Sequence, residues 1–175
     1  MPARLTLRLA TIADAELLAY WDEKPHVIAA TGQDFEMDWV EELANQSDVG
    51  FHLIAEEDGR PVGVMLIIDP HLEPTHYWGE IPPNLRALDI WIGEEADLGR
   101  GLGTEMMRLA LARCFAEPNV EAALLDPLVA NTDAHRFYER LGFKQMERRT
   151  FGDDDCYVYR LERRDWEASP LARTD

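Results

Sequence analysis

Long apolar runs are missing from this sequence. Nothing in it approaches the ~20 consecutive apolar residues that a membrane-spanning helix needs. Cysteine is scarce, with only Cys114 and Cys156. Two are too few for a disulfide framework, and each lies in a stretch that reads as regular structure, so reduced, packed thiols are expected. Basic residues are also few. Seventeen Lys and Arg face 34 Asp and Glu, for a net charge of −17, a balance that repels nucleic acid and anionic lipid and attracts polycations. An acidic excess also serves plain solubility. The five histidines, His26, His52, His71, His76 and His135, show no metal-ligand spacing such as His-Glu-x-x-His, so no metal is assigned. Internal repeats and low-complexity segments are absent. The amino terminus, MPARLTLRLAT, goes straight into alternating apolar and polar residues instead of the charged-then-apolar order of a secretory leader, so a cytoplasmic location is expected.

What is present is a globular balance, 46% apolar and 29% charged residues over 175 positions, suited to one domain with a real core. That domain is expected over 1–166, with 167–175 a frayed tail. Leu5, Leu7 and Leu9 alternate with Thr6, Arg8 and Ala10, the period of a half-buried strand. Asp14 can cap a helix carrying Leu17, Leu18 and Trp21 that ends before Pro25, and Met37, Val40, Leu43 and Ala44 suggest a second. Two strands, Phe51 to Ala55 and Pro61 to Ile68, flank the turn signal Asp58-Gly59. Four prolines between Asp69 and Leu85 mark a loop excursion, and loops of this length are usually functional.

A strand at Ala87 to Ile92, the cluster Leu98-Gly99-Arg100-Gly101-Leu102-Gly103-Thr104 and a helix from Thr104 to about Phe115 follow in immediate succession. A strand at Ala122 to Leu125, a helix opened by Asn131 and closed by Gly142, and strands at Lys144 to Thr150 and Cys156 to Leu161 complete the chain. The run Asp153-Asp154-Asp155 reads as the turn between the last two strands. The order β-α-α-β-β-β-α-β-α-β-β implies an α/β fold, a mixed and mostly antiparallel sheet of about seven strands flanked by about four helices.

The glycine cluster carries the first chemical signal. The N–H groups in a helix's first turn have no internal partners and lie at the positive end of its dipole, so glycines there let a phosphate approach several donors at once. No Gly-Lys-Ser/Thr ends the cluster and its third glycine falls one place early, which excludes a Walker loop and a dinucleotide fingerprint. A connector that merely turns the chain would look similar. Asp89 is the second signal. In Ala87-Leu88-Asp89-Ile90-Trp91-Ile92, Leu88, Ile90 and Ile92 face one way while Asp89 and Trp91 face the other. A carboxylate in so apolar a strand either meets an internal cation or looks into a cleft that receives one.

These segments resemble the GNAT acetyltransferase superfamily, whose coenzyme A loop reads Gln/Arg-x-x-Gly-x-Gly/Ala. The chain matches at Gly101 and Gly103, with Leu98 at the first position. A second family mark is matched by Asn131, Ala134, Phe137, Tyr138, Gly142 and Phe143. The resemblance implies acetyl-coenzyme A as co-substrate. Its pyrophosphate would lie on the N–H groups of Leu98, Gly99, Arg100, Gly101, Leu102, Gly103 and Thr104, and its pantetheine along Ile90, Trp91 and Ile92, where neighbouring strands splay, and beside Asn131. Tyr138 would protonate the departing thiolate, and an N–H near Ile90 would stabilise the oxyanion. Tyr138 could equally be a core aromatic and Asn131 a helix cap.

Six segments in order, Leu-Arg-Leu-Ala-Thr at the start, His26-Val27-Ile28, Tyr77-Trp78, Leu85 to Asp89, Leu98 to Thr104 and Asp126-Pro127 with Asn131, are similar to the aminoglycoside 6'-N-acetyltransferases. That resemblance implies transfer to the 6'-amine of a cationic aminoglycoside in a ternary complex, as in antibiotic resistance. Asp89 would be the acid/base or amine-holding residue, Asp126 a drug contact, and Tyr77, Trp78 and Glu80 part of an aromatic, acidic wall. The family's tryptophan pair after His26 is replaced by Ala29-Ala30-Thr31. Asp34, Asp38, Glu73 and Glu80 could add acidic contacts or be ordinary surface charges. A monomer or homodimer is expected. The rival readings are an acyltransferase acting on a siderophore precursor, a polyamine or a protein amino terminus, and a non-catalytic coenzyme-binding module.

Overall fold

The computed structural model describes residues 4–31 and 36–173. Among them are seven strands, β1 (Leu5–Leu9), β2 (Gly50–Glu57), β3 (Arg60–Ile68), β4 (Leu85–Ile92), β5 (Ala122–Leu125), β6 (Lys144–Phe151) and β7 (Asp154–Glu162). The helices are α1 (Ala15–Asp22), α2 (Pro25–Thr31), α3 (Trp39–Ala44), α4 (Leu102–Phe115), α5 (Thr132–Arg140) and α6 (Arg163–Ala168). One sheet runs β1-β2-β3-β4-β5-β7-β6, antiparallel except for the pair β4 and β5, which α4 connects by a crossover.

Apolar side chains cover the two faces separately. On one, Leu18 and Trp21 of α1, Val27 of α2 and Trp39 and Leu43 of α3 pack on Ile54, Val64 and Trp91. On the other, Met106, Met107, Ala110 and Leu111 of α4 pack on Leu53, Met65, Ile67 and Leu88, joined by Tyr138 at the end of α5. Leu88 and Trp91 thus lie on opposite faces, as the alternation of β4 requires. Asp58 and Gly59, both at positive φ, make the β2–β3 turn. No helix of the described residues is long and apolar enough to cross a membrane.

Several boundaries differ from expectation. Pro25 begins α2 where it was expected only to end α1, because proline fits the first helical position, whose N–H is unused anyway. The N–H groups of Val27 and Ile28 bond instead to Lys24 O, both at 3.0 Å. Asp14 does not cap α1. Its carboxylate accepts from Thr11 N–H at 2.8 Å and from the Arg8 guanidinium. The last hairpin turns at Gly152-Asp153, while Asp154 and Asp155 already belong to β7, where Asp155 pairs with Arg148. Residues 167–173, expected as a tail, contain the end of α6 and a short 3-10 turn. Trp166 stacks on Phe115 at 4.7 Å and Leu171 rests against the core, so apolar contact continues past the expected boundary.

Candidate active site

The site forms where two strands part. β4 and β5 pair only at Leu85/Ala122, Arg86/Ala123 and Ala87/Leu124. Side chains alternate along a strand, so the next positions on the face of Ala87 and Leu124 are Asp89 and Asp126. Both carboxylates therefore stand at the opening of the splay, and both line a cavity of about 740 Å³. The far side of β4 is still paired with β3, and the bond from Gly93 N–H to Val62 O at 2.9 Å sets the phase of that ladder. Alternate residues bond to opposite sides in an antiparallel pair, so the main-chain groups of Ile90 and Ile92 face the gap. The His26 ring, on α2, lies with Nε2 2.8 Å from Ile92 O, which leaves Ile90 as the open rung.

The cavity is acidic. Glu42, Glu73, Asp89, Asp126 and Asp154 line it, and no Lys or Arg does so among the described residues. Asp89 is reached by solvent from the cavity but is surrounded by protein otherwise, and that desolvation holds its carboxyl above the usual carboxylate range. Asp126 is raised further, by burial and then by the charge of Asp89. Tyr77 Oη donates to Asp126 Oδ2 at 2.5 Å and partly offsets that rise. The Tyr77 ring is held by stacking on Phe151 at 4.7 Å and by the edge of Trp78 at 5.9 Å. Tyr138 is buried, and burial together with the charges of Asp89 and Asp126 pushes its hydroxyl above the ordinary phenol value. It therefore stays protonated.

The start of α4 lies open on the surface. Gly101, the residue before the helix, has φ 80°, and Gly99 has φ 72°, a left-handed backbone that favours glycine. A Cβ at either would meet nothing within 4 Å, so it is backbone shape rather than crowding that calls for glycine. The first backbone donor of the helix with a partner is Glu105, to Gly101 O at 3.3 Å. Among the described residues, the N–H groups of Gly99 to Thr104 bond to no backbone acceptor. The helix begins at Leu102, two residues earlier than expected, which moves its unpaired first-turn donors into the glycine cluster. The Arg100 side chain points away from them. It binds Asp97 Oδ1 at 2.8 Å and Glu57 Oε1 at 2.8 Å, and Arg60 holds the other oxygen of Asp97 at 2.9 Å. Leu98 is exposed.

The remaining expected residues divide. Asn131 caps α5, accepting from Ala134 N–H at 3.3 Å, and also lines the cavity, as do Ile90, Trp91, Tyr77 and Tyr138. Trp78 does not line it. It is buried behind Tyr77 in a cluster with Phe151 and Leu85, because its large apolar ring is better spent on the core than on a wet wall. Glu80 is exposed and away from the lining. Asp38 caps α3 through Glu41 N–H at 3.1 Å, and Asp34 lies outside the described residues. Glu73 lines the cavity and accepts from the N–H groups of Thr75 and Tyr77, so it also shapes the loop that carries Tyr77. Ala30 and Thr31 also line the cavity. Glu42, Asp154 and His52 also line the cavity and were not expected there. Only the helical phase of α3 and the exact turn of the last hairpin could have revealed the two carboxylates.

A sheet that splays at β4 and β5, a glycine-opened helix after β4 and a buried, protonated phenol lining the same cavity as two carboxylates suit acyl transfer from a thioester carrier. The family model described as acetyltransferase (GNAT) domain matches residues 11–151, and the chain belongs to that family. Among curated relatives, the chain is 28% identical over 169 residues to aminoglycoside N(6')-acetyltransferase type 1 of Klebsiella pneumoniae, covering 91% of this chain and 83% of the relative. It is 29% identical over 161 residues to lysine N-acyltransferase MbtK of Mycobacterium tuberculosis, covering 89% and 76%. Among solved structures, aminoglycoside acetyltransferase AAC(6')-Ib in complex with coenzyme A and kanamycin superposes with a TM-score of 0.83 at 27% identity, covering 94% of this chain and 98% of that one.

Proposed function

We propose that the protein transfers acetyl from acetyl-coenzyme A to a primary amine of an aminoglycoside, at the 6' position, by direct attack. The observation that carries this reading is the cavity at the β4–β5 gap, with five carboxylates and neither Lys nor Arg in its described lining. Such a lining attracts an acceptor with several positive charges. Relatives in the aminoglycoside group and a neighbour holding kanamycin support the same acceptor. The free N–H groups of Gly99 to Thr104 fit a diphosphate, and the Ile90 rung fits an amide-bearing arm lying in the gap.

In this reading Asp89 and Asp126 bind the acceptor's ammonium, and Asp89 takes its proton, a task suited to a carboxyl above its usual range. The freed nitrogen lone pair attacks the thioester carbonyl carbon. The Ile90 N–H receives the charge that builds on the carbonyl oxygen. As the carbon–sulfur bond breaks, the Tyr138 hydroxyl gives its proton to the sulfur, and the proton still in excess on the nitrogen returns to the Tyr138 oxygen, leaving a neutral amide and a free thiol. No covalent bond to the enzyme forms. Leu98, without a polar group, contributes only its main chain. Trp78 supports Tyr77 from behind, and a cytoplasmic enzyme acting as monomer or homodimer accords with this chemistry.

A lysine-type acceptor, suggested by the lysine acyltransferase relative, brings a carboxylate of its own. The cavity has no described cation to meet it. Free-thiol release from acetyl-coenzyme A, measured with kanamycin, spermidine, lysine and an amino-terminal peptide, tests the choice. Saturable release with kanamycin and weak release with the others is expected. Preferential release with lysine or the peptide would overturn the acceptor, and coenzyme binding without release from any amine would favour a binding module.

A further inference from the structure

The cavity continues past the carboxylate pair along one rung of the sheet. His52 on β2 pairs with Leu66 on β3, and Leu66 pairs with Asp89 on β4. Directly opposed residues share a face, and two strand spacings set the backbones of His52 and Asp89 roughly 10 Å apart. One acceptor can touch both.

His52 is 1% exposed and is one of the residues that line the cavity, yet neither of its buried ring nitrogens has a hydrogen-bond partner. Its main chain is fully tied, with the N–H donating to Gln46 Oε1 at 2.6 Å and the carbonyl accepting from Ala10 N–H at 2.9 Å. The ring packs edge-on against Trp39 at 5.0 Å. Burial pushes its basicity down to about 4, so it is neutral and offers one donor and one acceptor. Trp91 Nε1 is a second buried donor without a partner on the same lining, and Glu42 and Asn45 line the recess too. An ammonium could use the lone pair but would leave both N–H donors unpaired. A hydroxyl both donates and accepts. Buried polar groups are normally paired, and these are arranged for a group of that kind.

We propose that His52 is a specificity-determining residue whose recess binds a hydroxyl of the acceptor while Asp89 holds the amine that reacts. This rests on the aminoglycoside reading of the same cavity. Glu42 adds a place for a neighbouring ammonium, so a hydroxyl flanked by an amine is the pattern selected.

The test measures kcat/KM for kanamycin and a series of its deoxy analogues with wild type, H52F and H52N, together with KM for acetyl-coenzyme A. Wild type should lose about tenfold when one particular ring hydroxyl is removed, since a site built to hydrogen-bond a hydroxyl discriminates against its absence. H52F should lose about the same on kanamycin, be indifferent to that hydroxyl, and keep its coenzyme KM. H52N should restore part of the preference. If H52F does not fold, the same comparison between wild type and H52N decides. Equal losses on every analogue, or a wild type indifferent to each hydroxyl, would overturn the subsite while leaving aminoglycoside acetylation intact. A wild type that acetylates lysine in preference to any aminoglycoside would overturn both.

Discussion

Tyr77 Oη donates to Asp126 Oδ2 across 2.5 Å, and the two residues come from the long loop before β4 and from the chain just after β5. That bond favours the charged form of Asp126, against the burial and the Asp89 charge that oppose it. Removing the hydroxyl in Tyr77→Phe should therefore raise the carboxyl further. In the proposed mechanism activity requires charged carboxylates, so the acid limb of the kcat/KM profile, held above the ordinary carboxylate range by the two raised groups, should move to higher pH. An unmoved or lowered limb would show that the bond does not govern ionisation. The two groups titrate as a pair, so the shift belongs to the pair as a whole.

Asp89→Asn should lower kcat by about 10²- to 10⁴-fold, the usual contribution of a positioned base, with the KM for acetyl-coenzyme A within about twofold. Stability should move the other way. A carboxyl raised in the folded state binds more protons there than when unfolded, so it lowers stability as pH rises from the unfolded value to the folded one. At pH 7.5 the amide should therefore raise stability by on the order of 1 kcal/mol, after discount for water in the cavity, or ~2–4 °C in Tm. Below about pH 4 the difference should vanish. Equal Tm values at pH 7.5 would contradict the burial cost.

Tyr138→Phe should lower kcat by about 10- to 10²-fold and leave binding of both substrates nearly unchanged, because only a proton donor is removed. Turnover at the wild-type rate, with chemistry limiting, would return Tyr138 to a packing role among Phe143, Phe137 and Tyr159.

Asp97 joins Arg60 and Arg100 at the entrance to the α4 loop. The Arg60 bond, opposed by burial and aided by Arg100, lowers its carboxyl. This stability is present above the unfolded value and is lost as pH falls through the lowered one. Asp97→Asn should lower Tm at neutral pH and raise the acetyl-coenzyme A KM about threefold to tenfold, without a comparable change in the aminoglycoside KM. A change confined to the aminoglycoside would show that the cluster does not shape the coenzyme loop.

The sheet and the helix pair around it were legible because β4, the glycine cluster and α4 follow one another without interruption, and because alternation and helical period are local signals. Asp89 was legible for the same reason, as the odd residue in an apolar strand. The ends of elements were less so. Pro25 serves a helix start as well as a stop, and Asp154 changes from turn to cavity wall with a one-residue slip in the hairpin. Trp78 and His52 depended on tertiary packing. Whether an aromatic after Tyr77 faces the cleft or the core is fixed by Phe151, more than 70 residues away, and a histidine in the apolar strand β2 gives no hint that Leu66 links it to Asp89.

The central claim is that the carboxylate pair at the β4–β5 gap presents a specific amine of a polycationic acceptor to the thioester. The most direct measurement is to turn over kanamycin with acetyl-coenzyme A and locate the new amide by nuclear magnetic resonance. The account predicts one product, acetylated at the 6'-amine, formed by wild type and lost with Asp89→Asn. A mixture of acetylated positions, or the same product at the same rate from the variant, would contradict it.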